Sequence, residues 1–325
     1  MVARWRAVLA ALVVLASAGC SADRTEHAAS GSGVVIEHQH GRTTIEGRPR
    51  RVVTLVPSFT DPALALGAAP VAAPGNPYGR GRPYAWQRGR LDPAKTKLLP
   101  VVSAATLNVE SIAAQRPDLI LAGFVASDKA VYQRLSAIAP TIPMLRRGFT
   151  DTWQDVTLVT GRALGREAEA RTLVAESERK LRASVAGLPR LKGRTVTFAG
   201  LSSPGLVAVV SDPQDAANRL LSALSLSLNP SVRGNLAGNA GVQGQIGMER
   251  LRLLDRDLLV IAPFNDGLRT ALEKSPQFQE LKVVRRGDVA WLNVEQGTAL
   301  RNPSALNLGY TLDALKPALT RLADR

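Results

Sequence analysis

Residues 75–90 read GNPYGRGRPYAWQRGR. Four arginines, Arg80, Arg82, Arg88 and Arg90, are interleaved with Tyr78, Tyr84 and Trp86, and the glycines and prolines keep the stretch out of helix and strand. A guanidinium donates from a planar, weakly hydrated fork and suits anionic oxygens. Aromatic rings add apolar contact area. Such a loop fits nucleic acid or an anionic small molecule. A second grouping, EHQH at 37–40, puts His38 and His40 on one face of a strand. All three histidines, His27, His38 and His40, precede residue 41. A metal site between two halves of the chain needs ligands from both, so solvated strand histidines are the default.

Other chemistry is missing from the sequence. There is no G-x-S-x-G elbow, no Walker loop, no H-E-x-x-H and no G-x-G-x-x-G after a strand. The single cysteine, Cys20, lies near the N-terminus, which leaves none for catalysis or a zinc cluster. No nucleophile paired with a base stands out, so the expectation is a binding protein without an intrinsic cofactor, not an enzyme.

Arg4 and Arg6 precede a short apolar run, AVLAALVVLASA (7–18), and Gly19 and Cys20 follow it. Twelve residues suit a signal-peptide core better than a membrane span. The ASAG–Cys20 junction resembles a bacterial lipobox, with Ser17 where leucine is usual. Acylation of Cys20 would account for a lone exported thiol. Residues 1–19 are thus expected to be a signal peptide, and 20–33 a lipidated cysteine and polar tether. No later apolar stretch approaches the roughly 18 residues of another span, so the body is expected to be soluble. Export argues against nucleic acid. The net charge of +14 points to anionic ligands or surfaces.

The 325 residues, 45% hydrophobic and 21% charged, suffice for two domains. Two alternating strands around Gly41 precede RVVTLV, which has the β-branched run of a buried parallel strand. Short helices and strands then alternate to about residue 149, as in a mostly parallel sheet covered by helices. From Thr152 no proline interrupts the chain until Pro189, and an apolar stripe from Val156 to Val185 predicts one helix of roughly 50 Å. The α/β pattern restarts at 193. The expected divisions are a lobe over 34–150, a backbone helix over 151–187 and a lobe over 188–325.

RPRRVVTLVPSFTDPALALGAAPVA (48–72) and NVESIAAQRPDLILAG (108–123) resemble bacterial iron–siderophore ABC-transporter substrate-binding lipoproteins. The resemblance covers about 34–322. It implies two Rossmann-like α/β lobes joined by one long helix, with a ligand cleft between them. It also implies a monomer on a lipid anchor that captures a ferric siderophore and docks to an ABC permease dimer and its ATPase. One surface glutamate per lobe would dock. The NVE glutamate falls on Glu110 and its counterpart on Glu249, where Gly247 replaces the usual serine.

Ligand residues are expected on loops at strand ends. Tyr84, Trp86 and Arg88 are expected to face the cleft, with Arg80 or Arg82. Phe59, Phe124, Arg146 and Arg147 are the other first-lobe candidates. Ser202, Ser203, Arg233, Asn235, Phe264, Asn265 and Arg301 are those of the second. Haem or cobalamin on the same scaffold is the alternative ligand, although haem wants an axial His, Tyr or Met. A basic surface adhesin is a further reading.

Overall fold

Val52–Thr54 are all β-branched, and the strand they form is buried on both sides, with the Thr54 hydroxyl bonded to Thr60 Oγ1 at 2.7 Å. The computed structural model describes residues 33–101, 103–146, 150–233, 236 and 243–325. The expected signal peptide, Cys20 and all of the expected tether but Gly33 lie outside them, as do Arg147 and Asn235. Gly33–Arg325 is the unit described below.

An antiparallel hairpin, β1 (Val34–His38) and β2 (Gly41–Ile45), opens it. Strands β3 (Val52–Thr54), β4 (Ala72–Pro74), β5 (Lys97–Leu99), β6 (Leu119–Gly123) and β7 (Thr141–Pro143) follow. They form an all-parallel sheet in the order β5-β4-β3-β6-β7. Helix Pro57–Ala65 follows β3, with proline in its first turn where no amide partner is needed.

The second sheet is mixed. It contains β8 (Thr195–Ser203), β9 (Leu206–Val210), β10 (Ser227–Leu228), β11 (Gln243–Gly247), β12 (Leu258–Pro263) and β13 (Val289–Trp291). Its order is β11-β9-β8-β12-β13, with β10 also on β8, and the β8–β9 and β9–β11 pairs are antiparallel. The core of this lobe divides over the two faces of the sheet. No described helix is long and apolar enough to cross a membrane.

The single rod expected over 152–186 is two helices, Trp153–Ala163 and Glu167–Val185. Gly165 takes φ +65°. Its amide donates to Arg162 O at 3.2 Å, and the Arg166 amide donates to Gly161 O at 2.7 Å. These two bonds make a Schellman turn, which ends a helix. The chain then folds back. Gln154 Nε2 donates to Glu178 Oε1 at 3.2 Å, a pairing that a straight helix would hold some 36 Å apart. Val156, Ala163 and Leu164 join the first-lobe core, while Trp153 and Leu181 join the second. An antiparallel helical hairpin therefore touches both cores. Gly161 has no room for a side chain, because a β-carbon there would collide with the Ala170 side chain.

A polar knot ties the C-terminal segment to the first lobe. Asp61, on helix Pro57–Ala65, is fully buried. It accepts hydrogen bonds from Trp86 Nε1 (2.9 Å), Gln87 Nε2 (2.7 Å), Ser304 Oγ (2.6 Å) and Asn307 Nδ2 (3.4 Å). Burial raises its pKa to about 6, against the downward pull of Gln87, Ser304 and Trp86.

Two outcomes follow from these contacts. Gly161→Ala should cost about 1–3 kcal/mol in urea unfolding, although alanine is the better helix former. A stabilised variant would contradict the hairpin. For Asp61, the folded state holds the proton more tightly than the unfolded chain, whose value is 3.8. Its contribution to stability is therefore full below about pH 4 and shrinks as pH rises to about 6. The stability of the wild type relative to Asp61→Asn should fall by about 3 kcal/mol between pH 4 and pH 7. A pH-independent difference would contradict the account.

Candidate functional site

The first-lobe strands are parallel, so their C-terminal ends lie together, and loops from those ends meet loops of the second sheet. Two cavities of about 250 Å³ each open there. One is lined by Ser58, Phe59, Phe124, Met144, Asp151, Trp153 and Asp215 among others. The second is lined chiefly by Tyr78, Tyr84, Phe124, Phe198, Phe264 and Thr298. Phe124, Arg301 and Asn302 border both, so the two are parts of one cleft between the lobes.

Arg301 ends helix Val294–Arg301. Its Nη1 lies 3.4 Å from Asp215 Oδ2, but is buried and makes no hydrogen bond. Burial lowers the pKa of Arg301 and raises that of Asp215, while each charge pulls the other back. The ion pair thus leaves Arg301 Nη1 without a hydrogen-bond acceptor. Asp215 also caps helix Ala216–Ala223 by accepting from Ala217 N at 2.9 Å. Asp151, raised by burial, accepts from the amides of Leu145 (2.7 Å) and Arg146 (2.8 Å).

The aromatic cavity has two exposed rings. Tyr78 of the first lobe is 47% exposed and Phe264 of the second 48%. Their centroids lie 5.6 Å apart, so the rings meet across the cleft. The Asn76 side chain, on the same loop as Tyr78, donates to Glu295 in the first turn of helix Val294–Arg301 and so makes a second link between the lobes.

Five of the expected ligand residues line the cleft: Phe59, Tyr84, Phe124, Phe264 and Arg301. The others described do not. Trp86 is 9% exposed; it stacks on Tyr84 and spends its Nε1 on Asp61, so its role is in packing. Arg80, Arg82 and Arg88 are exposed and stand outside the linings, because the loop buries Tyr84 and Trp86 and turns its charges to solvent. Arg146 binds Asp155 at 2.7 Å. Ser202 and Ser203 belong to β8, which runs on into a hairpin with β9 where a loop was expected. Asn265 caps helix Asp266–Glu273. Arg233 is exposed and outside the linings.

The histidine pair is not solvated as expected. His38 is buried, bonds Thr43 Oγ1 at 2.9 Å, and has a pKa lowered by desolvation. Tyr132 packs against both His38 and His40. No group of three metal-ligating side chains exists among the described residues.

Residues missed from the sequence include Tyr78, Asp151, Trp153, Phe198 and Asp215. Tyr78 stood in the aromatic loop and was legible there. Trp153 falls at the start of the expected long helix, and nothing local marks it or Asp215 as a cleft residue.

Glu110 is exposed in the first turn of helix Val109–Ala113, capped by Asn108. Glu249 is exposed in the first turn of the 3₁₀ segment Met248–Leu254. Gly247, in place of serine, leaves the space into which the Glu249 carboxylate folds back.

The chain is similar to known proteins in sequence and in fold. The chain is 28% identical over 291 residues to the Fe(3+)-citrate-binding protein YfmC of Bacillus subtilis, covering 87% of this chain and 85% of that one. It is 26% identical to the ferric enterobactin-binding periplasmic protein FepB of Escherichia coli, covering 80% and 84%. The structure of SirA from Staphylococcus aureus complexed with staphyloferrin B superposes with a TM-score of 0.73 at 25% identity, covering 88% of this chain and 98% of SirA. The periplasmic binding protein family matches residues 52–293, most of the chain, and the protein belongs to that family.

Proposed function

We propose that the protein is the extracytoplasmic receptor of an ABC importer, capturing a ferric siderophore between its lobes and presenting it to a permease dimer and its ATPase. The observation that carries this reading is the cleft, where Arg301 offers an unspent buried donor between aromatic walls from both lobes. A bulky chelate with oxygen-rich and apolar faces needs that combination. Phe59, Tyr84, Phe124, Phe264 and Arg301 contact it, joined by Tyr78, Trp153 and Asn302. Relatives whose names record ferric citrate and ferric enterobactin support iron as the cargo. The lipobox at Cys20 supports tethering to the membrane. The role is binding without catalysis, and the receptor acts as a monomer.

Glu110 and Glu249 dock the receptor to basic residues of the permease, one per lobe. In cells whose only copy carries Glu110→Arg or Glu249→Arg, ferric-siderophore uptake should fall to the level of a deletion strain. The purified variant should bind the chelate with unchanged Kd. Retained uptake, or weakened binding in solution, would contradict the docking role. A wild type that bound no ferric chelate would contradict the receptor role itself.

A further inference from the structure

The charges around the cleft restrict its cargo further, given the receptor reading above. Arg301 is the only cation among the described lining residues, and Asp151 and Asp215 stand against it. The Asp215 carboxylate already lies 3.4 Å from Arg301 Nη1. Glu295, beside the aromatic cavity, adds a further negative charge. The arginines that made the loop at 75–90 look like an anion site face solvent. Among the undescribed residues after Gly33, the sequence contains one charge, Arg147. Among the described residues that line the two cavities, one cation stands against two carboxylates.

An anion moved out of water into such a site loses hydration and gains no surplus positive charge in return. Iron(III) held by three monoanionic hydroxamates carries no net charge. Citrate and catecholate complexes of iron(III) carry several negative charges. A neutral chelate still presents carbonyl and hydroxamate oxygens, which suit an Arg301 Nη1 that makes no hydrogen bond, and its methylene arms suit the rings of Tyr78, Tyr84, Phe198 and Phe264. We infer that the cleft selects a ferric chelate of little or no net charge, of the trihydroxamate type, and that Asp215 and Asp151 exclude multiply anionic chelates.

The test is a titration of the mature protein, followed by tryptophan quenching, with Trp153 in the cleft wall as reporter. The probes are a neutral ferric trihydroxamate, ferric dicitrate and a ferric triscatecholate, each at low and high salt. The trihydroxamate should bind at least about tenfold more tightly than either anion, with a Kd that salt does not move. Asp215→Asn keeps the helix cap, since asparagine caps as well as aspartate. It should narrow the gap to ferric dicitrate several-fold, and Asp151→Asn should do the same. Tighter binding of either anionic chelate by the wild type would overturn the inference and leave the receptor reading standing. An unchanged gap in both folded variants would overturn the role of the aspartates. Failure of every ferric chelate to saturate would remove the receptor reading and the inference together.

Discussion

Asp61 has no contact with water, so its carboxylate needs protein donors. They come from two segments far apart in sequence: Trp86 and Gln87 on the arginine-rich loop, and Ser304 and Asn307 near the C-terminus. That junction fixes the geometry of the cleft. With Trp86 held, Tyr84 stacks on it and forms a cleft wall. With Ser304 and Asn307 held, helix Val294–Arg301 packs through Ala299 against Tyr84 and Trp86 and delivers Arg301 between the two cavities. A buried group this well satisfied is costly to disturb from either side.

The helical hairpin is the second connection. A stiff rod would hold the lobes apart along one axis. Two antiparallel helices instead lay Val156 and Leu164 in one core and Trp153 and Leu181 in the other. The same turn of chain that leaves the first lobe also brings Asp151 and Trp153 to the cleft. Positioning of the cleft thus depends on the Gly165 turn as well as on Asp61.

Much of the fold was legible in the sequence. Buried strands such as 119–123 and 258–263 carry continuous apolar runs, and period and turn residues located most elements. Gly161 and Gly165 lie inside the expected long helix, and an apolar stripe continues through them. What stops the helix is the left-handed φ at Gly165 and the contact of Gly161 with Ala170, and that contact is tertiary. The site was less legible. Aromatics and arginines alternate along 75–90, yet the loop sorts them by burial, so Tyr84 faces the cleft, Trp86 faces Asp61 and the arginines face water. Asp215 looks like any helix cap until Arg301, distant in sequence, arrives beside it.

The most direct test is to locate the iron. Crystals of the mature protein grown with a ferric trihydroxamate can be measured at the iron absorption edge, where anomalous scattering marks the metal alone. The account predicts one strong peak between the lobes, flanked by Phe124 and Arg301. An iron peak elsewhere, at the His38–His40 turn or on the basic surface, or crystals that retain no iron, would contradict it.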